Sequence, residues 1–394
     1  MKNILLIFGG KSFEHDISII TALIIKNRYE NGKYNLVPVY IDRNNEWFYF
    51  AGKKLNSHMF KDFKNTFKQN MFFKAYLKTN EKLLFYKKGL FEKKIEIYCA
   101  INCCHGGFGE SGMLSDVLFA SNIPVSSGNH TALGICMDKL LSKFYFEGLK
   151  VPCLKYFKTT FSEWEKEKEY VLKKVEDIGY PVIIKPALLG SSIGIFVAKN
   201  KEEFEKNIET SFEFDSCVLI EKAILEKMVE YNVACMRKDN NILVSEIDKP
   251  LRTDEILSFK DKYIGDKKHV SDKFGAKNTP QKTMKGGGYL SENKKFIDDC
   301  LPEKLVVKIK QICQKVYKEL GLLGVCRIDF IMDKKMNVYL NEINAVPGSL
   351  AYYFFVPKVF KTMSEFIDCL ADEGVRYFEK ENNFKKEFET RLFK

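Results

Sequence analysis

Short apolar runs alternate with helix-like segments through the first 126 residues of the chain. Buried strands are typically apolar runs of about four to eight residues, whereas amphipathic helices repeat apolar positions three and four apart. The pattern predicts strands at 4–8, 34–41, 95–103 and 123–125 and helices at 18–27 and 113–121. Such alternation favours an open α/β sheet. A Lys-, Phe- and Asn-rich insertion at 42–92 interrupts it and has hairpin-like pieces at 46–50 and 83–86.

Two further lobes are predicted after the first lobe (1–126), at 127–224 and 225–394. The middle lobe has the pattern of helices at 131–148, 161–178 and 201–211 and of strands at 182–185, 195–198 and 217–221. The last lobe is expected to be β-rich, with strands at 231–236 and 242–247 and a hairpin at 325–343. The Lys-, Gly- and Asp-rich residues 261–293 lack either pattern, which predicts a mobile loop.

Composition and charge narrow the class of protein. A chain of 394 residues with 45% hydrophobic and 29% charged residues is typical of a globular protein of two or three domains. Its 63 Lys+Arg against 52 Asp+Glu leave a net charge of +11. That balance is typical of a solvated basic surface or of an anionic substrate such as a nucleotide. The lysines are scattered without a zinc-finger, RNP or basic-helix pattern, so nucleic-acid binding is not expected.

Other features of the sequence indicate the cellular compartment of the protein. No apolar run approaches the ~18–20 residues of a membrane helix, so no membrane partner is expected. The apolar start at 4–8 ends at Gly9-Gly10 without a cleavage site, which favours a first strand over a signal peptide. The 11 cysteines include no C-x-x-C pair, and the five histidines are far apart. These features predict a cytoplasmic protein with free thiols and no structural zinc.

The hairpin at 325–343 carries the strongest chemical pattern. Side chains alternate between faces along a strand, so Arg327 and Asp329 share one face, and so do Glu342 and Asn344. A turn between the strands would bring the two pairs into cross-strand contact. Carboxylate and amide oxygens, completed by phosphate, are ligands that Mg²⁺ prefers. An exposed, ion-paired hairpin is the alternative, but the intervening apolar residues must be buried, which favours a polar face turned into a cleft.

Three other positions could carry chemistry. Lys185 ends an apolar strand before the Gly/Ser-rich loop 190–194, which would offer phosphate a cation and backbone donors, or would be a flexible turn. Lys139 and Lys143 lie one helical turn apart, which is most often a solvated face. Glu14 follows the first strand, where α/β sheets form ligand crevices, although an acid there could equally serve a helix N-terminus.

Residues 107–112 match G-x-G-x-x-G between a strand and a helix, the pattern of a dinucleotide site. Dinucleotide sites also require an acidic residue at the end of a following strand, about 20 positions later, and this sequence has none there. The first strand, which normally carries the pattern, lacks it. Dinucleotide binding is therefore not expected, but an anion at this helix N-terminus is.

Taken in order, these segments resemble those of the D-alanine–D-alanine ligases, a family with the ATP-grasp fold. The resemblance extends from residue 3 to about 357. The matching positions are Gly9, Gly10, Ser12, Glu14, His15, Ser18, His105, Gly106, 109–112, Pro124, Gly128, 137–139, 184–186, 190–192, Gly194, 327–330, 341–344, Pro347 and Gly348. It implies an α/β protein of three lobes, with a Rossmann-like first lobe and ATP between the second and third.

The resemblance also implies roles for individual residues. Those expected to bind ATP are Lys139, Lys185, Ser192, Glu221, Ile224, Glu230 and Lys262. Those expected to bind Mg²⁺ (or Mn²⁺) are Asp329, Glu342 and Asn344. Glu14, Ser191 and Tyr263 would fix the first D-alanine, with His105 near its carboxylate. Lys262 and Tyr263 would lie on a loop, within 261–293, that closes over the site.

The implied reaction makes a dipeptide for peptidoglycan and cell shape. ATP phosphorylates the carboxylate of one D-alanine, and the amine of a second attacks the acylphosphate. Arg327 and the backbone N–H of Gly348 would stabilise the tetrahedral oxyanion. The implied partners are ATP and D-alanine, and a homodimer is the assembly to test.

One departure from the family leaves the acceptor open. After Gly348 the family usually continues Met-Thr-x-x-Ser-Leu, whereas this chain has Ser-Leu-Ala-Tyr-Tyr-Phe, with Tyr353 where serine is expected. Tyr353 is therefore the candidate contact of the second substrate. The alternative function is an ATP-grasp ligase that joins D-alanine or another amino acid to a different acceptor. From other classes, a nicotinamide oxidoreductase and a nucleic-acid-binding protein are the least favoured hypotheses.

Overall fold

The structure, a computed structural model, describes residues 1–61, 63–68, 71–250 and 296–385. The strands of these residues form three sheets, one of seven strands and two of four. Each sheet draws on a continuous part of the chain, in the order that the apolar pattern predicts. The exact division into lobes at 126 and 224 stays a prediction. Among the described residues, no helix is both long and apolar enough to cross a membrane.

The first sheet combines a parallel core with an antiparallel extension. Its strands are β1 (Asn3–Gly9), β2 (Asn35–Ile41), β3 (Trp47–Phe50), β4 (Phe72–Leu77), β5 (Leu83–Lys88), β6 (Phe91–Glu96) and β7 (Cys99–Asn102). They lie in the order β6-β5-β4-β3-β2-β1-β7, and β1 pairs in parallel with both β2 and β7. The helices of this region are α1 (His15–Arg28), α2 (His58–Lys61), α3 (Phe63–Lys68), α4 (Gly107–Glu110) and α5 (Met113–Ala120). Because β1 and β7 are parallel neighbours, the loops that follow them meet at one edge.

The second sheet is antiparallel throughout. Its strands are β8 (Tyr156–Thr160), β9 (Val182–Pro186), β10 (Phe196–Ala198) and β11 (Cys217–Lys222), in the order β10-β9-β11-β8. The helices of this part of the chain are α6 (His130–Met137), α7 (Lys139–Gly148), α8 (Phe161–Lys166), α9 (Lys168–Ile178) and α10 (Lys201–Phe212). Buried apolar residues of α6 and α7 belong to the apolar core of the third sheet. Leu219 of β11 is directly opposite Lys185 of β9, which places Glu221 diagonally across from that lysine on the same face.

The third sheet contains the predicted hairpin. Its strands are β12 (Val229–Lys238), β13 (Asn241–Val244), β14 (Cys326–Met332) and β15 (Val338–Asn344), in the order β13-β12-β14-β15. The α-helices of this region are α11 (Glu303–Glu319) and α12 (Met363–Asn382). It also contains two 3-10 helices, Asp298–Cys300 and Gly348–Phe354. Buried residues of α12 and of the second 3-10 helix share one apolar core with β1, β2 and α1. The C-terminal part therefore packs on the first sheet.

Several predicted elements differ from the observed ones. The helix expected at 131–148 is two helices, because the Asp138 side chain accepts from the N–H groups of Leu140 and Leu141 and starts α7. The helix expected at 161–178 likewise breaks at Glu167 between α8 and α9. The strand expected at 95–103 is the separate pair β6 and β7, and the strand at 123–125 is a single bridge. The strand expected at 242–247 ends at 244, and α11 and α12 had not been predicted.

Candidate active site

The Glu14 carboxylate lies where the first and second sheets meet. The chain leaves β1 through a glycine turn, and Glu14 occupies the residue before α1. Its Oε1 accepts a hydrogen bond from the Ser191 hydroxyl. A Cβ atom at Gly106 would lie 2.8 Å from Glu14 Oε2, and one at Gly190 would lie 2.9 Å from the same oxygen. Both loops therefore need glycine to approach this carboxylate, and the predicted contact of Glu14 with Ser191 is present.

His105 links the loop after β7 to the loop that carries Gly348. Its Nδ1 lies 2.6 Å from the carbonyl oxygen of Val346, so this nitrogen carries the proton and donates. Its Nε2 then accepts from the Thr21 hydroxyl at 2.7 Å, and Thr21 Oγ1 accepts from the N–H of Ser349 at 2.9 Å. Burial lowers the pKa of His105, so the ring is neutral near pH 7. The network fixes the backbone on both sides of Gly348.

Glu110 lies in the same place and was not predicted as a site residue. Its Oε2 accepts from the N–H of Gly106 at 2.9 Å, and its Oε1 accepts from the N–H of Val346 at 3.1 Å. Burial, with the nearby charge of Glu14, raises the pKa of Glu110 to about 7. The N–H group of Gly106 thus already has a partner in Glu110, and the anion expected at this helix N-terminus stays a prediction.

Two lysines of the second sheet region face the third sheet. Lys139 Nζ donates to the carbonyl oxygen of Leu189, just before the Gly/Ser-rich loop. Lys185 Nζ donates to Glu221 Oε2 at 2.5 Å and to Asn341 Oδ1 at 3.1 Å. Burial lowers the pKa of Lys139. Burial alone would also lower the pKa of Lys185, but the negative charge of Glu221 outweighs this effect and raises the pKa of Lys185. Lys185 therefore stays charged although it is buried.

The hairpin of β14 and β15 brings its polar residues together as predicted. Arg327 is directly opposite Asn344 and Asp329 is directly opposite Glu342. Arg327 donates from Nε and from its terminal nitrogen to the two Asp329 oxygens, both at 2.7 Å, and the Asn344 amide donates to the same carboxylate at 3.1 Å. A register shift after Asp329 bends the pair at this point.

Residues of all three sheet regions line one cleft. Its lining includes Glu14, Glu110, Lys139, Gly190 and the segment 341–344. Gly348 faces open space, since a Cβ atom there would meet nothing within 4 Å. Acidic side chains, a lysine and the polar residues at the end of β15 therefore converge on one volume. A second, more open depression near Phe73 and Leu90 contains none of the predicted site residues.

The sequence matches the models of one protein family over most of its length. The D-ala D-ala ligase N-terminus model matches residues 3–127, and the D-ala D-ala ligase C-terminus model matches 145–286 and 288–372. The chain belongs to the D-alanine–D-alanine ligase family. As a member of this family it is an ADP-forming ligase with the ATP-grasp fold.

Individual relatives are similar over nearly their whole length. A D-alanine–D-alanine ligase of Thermosipho melanesiensis is 33% identical over 383 residues, which cover 96% of this chain and 95% of the relative. One from Campylobacter jejuni is 31% identical over 376 residues, which cover 93% and 92%. The solved D-alanine–D-alanine ligase of Helicobacter pylori superimposes with a TM-score of 0.70 at 25% identity, over 95% of this chain and 98% of that one. The VanG D-Ala:D-Ser ligase of Enterococcus faecalis shares the fold, with a TM-score of 0.73 at 22% identity over 95% and 99%.

The hairpin of this ligase has the chemistry of a divalent-cation site. Burial, helped by the negative charges of Glu342 and Glu230 nearby, raises the pKa of Asp329 even though Arg327 pairs with it. A bound cation would relieve that excess charge. In the described ranges, no group of three or more His, Cys, Asp or Glu side chains could bind a metal by itself. The predicted set of two carboxylates and one amide would therefore depend on ligand oxygens to complete it.

Two of the residues predicted to bind ATP, Glu221 and Glu230, lie near Lys185. Glu221 is fully buried, and both of its carboxylate oxygens accept from lysines, so its side chain already has partners within the protein. Ile224 and Glu230 are half-buried, and Glu230 is close enough to Lys185 to affect the lysine's charge. Ser192 has a left-handed backbone, with φ of 60°, next to Ser191 at 54°. Lys262 and Tyr263 lie outside the described residues, as does the predicted loop at 261–293.

Tyr353 lies in the 3-10 segment Gly348–Phe354, after an unusual turn. Ser349, Leu350 and Ala351 have φ values of 54°, 49° and 46°, a run of left-handed residues before the tyrosine. Tyr353 is 8% exposed and packs on Phe354 with ring centroids 4.9 Å apart. It also lies close enough to Arg327 for an electrostatic interaction with the guanidinium. The expectation that Tyr353 contacts the second substrate stays a prediction.

Proposed function

We propose that this protein uses ATP to join two D-alanine molecules into a dipeptide, releasing ADP and phosphate. The observation that supports it most is the single cleft between Glu14, Lys139 and the β14–β15 hairpin. An acid suits a substrate ammonium group, the half-buried Lys139 and the buried Lys185 suit the phosphates, and an oxygen cluster opposite them suits a phosphate-bound cation. The product would serve peptidoglycan synthesis in the cytoplasm. A homodimer is the expected assembly, which sedimentation velocity would check.

The first half of the reaction activates a carboxylate. Glu14, fixed by the Ser191 hydroxyl, would accept the ammonium group of the first D-alanine. Lys139 and Lys185 would bind the phosphates of ATP through charge-assisted hydrogen bonds. Held in this way, the D-alanine carboxylate attacks the γ-phosphorus in line with the leaving ADP oxygen, which gives an acylphosphate.

The second half forms the peptide bond. The neutral amine of the second D-alanine attacks the acyl carbon, and the carbonyl oxygen becomes an oxyanion. Arg327 and the N–H of Gly348 would donate to that oxyanion, because His105 and Glu110 fix the backbone around Gly348. The intermediate collapses with release of phosphate, and the amine proton leaves with the departing group.

Mg²⁺, or Mn²⁺, is expected at Asp329, Glu342 and Asn344. When bound, it would offset the charge that builds on the β- and γ-phosphates. In its absence Asp329 is paired with Arg327, so the carboxylate would have to be shared between the guanidinium and the cation.

The proposed reaction is tested by screening ATP-driven phosphate release across pairs of amino acids and hydroxy acids. We expect release that depends on D-alanine alone, with the dipeptide as the product by mass spectrometry. Release that requires a second compound, and yields a mixed product, would favour the alternative ligase. Release that is independent of D-alanine would contradict both.

Substitution of Tyr353 tests the acceptor site. Serine would open the aromatic wall that Tyr353 forms with Phe354 and would place a short hydroxyl near the acceptor carboxylate. We expect Tyr353→Ser to lower the second D-alanine KM by roughly 10- to 200-fold, since similar changes in small pockets are worth ~1–3 kcal/mol. The first D-alanine KM should not change. Steady-state kinetics with both D-alanine constants resolved would measure this, and identical constants in the variant would show that Tyr353 does not line the acceptor site.

A further inference from the structure

Lys143 occupies a position that is rare for lysine. It lies one turn after Lys139 on α7, yet it is only 1% exposed. Lysine is almost never fully buried unless it is paired. Its Nζ donates to Glu221 Oε1, while Lys185 donates to the other oxygen, Oε2, at 2.5 Å. One buried carboxylate is thus shared by two buried lysines.

The charges of this triad do not cancel. Two lysines and one glutamate leave one positive charge, which the burial of all three side chains screens poorly. Burial alone would raise the pKa of Glu221, but Lys143 and then Lys185 outweigh it and lower that pKa. Glu221 therefore stays ionised, and its negative charge is divided between two partners.

The consequence for Lys185 depends on Lys143. If Glu221 had Lys185 as its single partner, the two would form a neutral pair, and Lys185 would have little net charge to offer a phosphate. Asn341 contributes a neutral oxygen at 3.1 Å, which orients the Lys185 ammonium group without cancelling its charge. Glu342 and Glu230 also act on Lys185. The second lysine behind the carboxylate therefore offsets the charge of Glu221, so that Glu221 does not add fully to theirs in cancelling the charge of Lys185.

We infer that Lys143 is a positioning residue for the nucleotide, which by pairing with Glu221 leaves the charge of Lys185 available to the phosphates of ATP. It would touch neither ATP nor D-alanine, and it would act through Glu221 and Lys185. The inference rests on the proposed role of Lys185 in binding ATP.

Four proteins test it: the wild type, Lys143→Met, the double variant Lys143→Met with Glu221→Gln, and Lys155→Met as a control. Methionine has a similar length but no charge, and it leaves Glu221 paired with Lys185 alone. The double variant removes that glutamate charge as well. Because both Glu221 oxygens accept from lysines, its effect on ADP is expected to come through Lys185, which regains an uncancelled charge, rather than from a side-chain contact of Glu221 with the nucleotide. Lys155 is exposed, just before β8, and its loss removes the same charge from the surface. The dissociation constant of ADP with Mg²⁺ is measured by calorimetry, with thermal unfolding as a check on folding.

We expect Lys143→Met to weaken ADP binding and raise the ATP KM roughly tenfold, the usual scale for one charge-assisted contact. The D-alanine KM should be unchanged, the double variant should recover most of the ADP affinity, and Lys155→Met should match the wild type. A purely structural role would instead lower stability without this split between the two KM values.

Two results would overturn the inference. One is ADP binding by Lys143→Met within twofold of the wild type, and the other is a folded double variant that binds ADP as weakly as Lys143→Met. Either result alongside normal D-alanine-dependent turnover in the wild type would leave the proposed function intact. Recovery of ADP affinity in an enzyme that does not use D-alanine would support the role of Lys143 and contradict the proposed function.

Discussion

Glu342→Gln is expected to lower D-alanine-dependent phosphate release at least about hundredfold while the protein still folds. The amide keeps the size of the side chain but removes one of the two charges that face each other across β14 and β15. Asp329→Asn should have a similar effect, because it removes the other carboxylate of the proposed cation site. Phosphate release is measured at saturating ATP over a range of Mg²⁺ concentrations.

A neighbouring acid of the same hairpin provides the control. Asp333 lies in the turn, where it accepts from the N–H groups of Lys335 and Asn337 on the exposed side. Asp333→Asn should change turnover less than about twofold, and thermal unfolding should be similar in all three variants. Near-normal turnover of Glu342→Gln at limiting Mg²⁺ would show that the cation binds elsewhere.

Lys185→Ala is expected to raise the KM for ATP by roughly 10- to 100-fold, the scale of a lost charge-assisted contact in a buried site. The fold should survive, because Glu221 keeps its ion pair with Lys143. The D-alanine KM should change little. Steady-state kinetics at saturating D-alanine would measure the change.

Lys158→Ala is the matched control for this prediction. Leu219 of β11 is directly opposite Lys158 on one side and Lys185 on the other, so both lysines belong to the same part of the second sheet. Lys158 is exposed, and its loss should leave the ATP KM unchanged. An unchanged ATP KM in Lys185→Ala as well would exclude this lysine from phosphate binding.

The hairpin could be predicted from the sequence because its information is local. Alternation puts Arg327 and Asp329 on one face of their strand and Glu342 and Asn344 on one face of theirs, and the short turn brings these two faces together on the same side of the sheet. Here the observed pairing confirms the prediction. The break of α6 from α7 at Asp138 was also local, since Asp is a favoured helix N-cap, but an unbroken helical pattern on both sides outweighed that signal.

The residues that were missed depend on distant partners. Lys143 was interpreted as part of a solvated lysine face, but its burial depends on Glu221, which is 78 positions away. The network from His105 through Thr21 joins residues 328 positions apart at Ser349. Glu110 lies in a motif that indicates an anion at a helix N-terminus and matches the ligase family, but neither pattern predicts its contact with Val346, 236 positions away. The hydrophobic pattern of a single sequence does not indicate which distant side chains will pair. The family resemblance predicted which residues line the cleft, but it did not predict the hydrogen bonds that hold those residues in place.

The transfer of oxygen from substrate to phosphate tests the proposed chemistry most directly. Wild-type protein is incubated with ATP, Mg²⁺ and D-alanine that carries ¹⁸O in its carboxylate, and the released phosphate is analysed by mass spectrometry. If the carboxylate attacks the γ-phosphorus and an acylphosphate then loses phosphate to the second amine, each phosphate should carry one ¹⁸O atom and match one dipeptide. Phosphate without ¹⁸O, released in excess of dipeptide, would mean that water attacks ATP and would contradict the proposed role of this cleft.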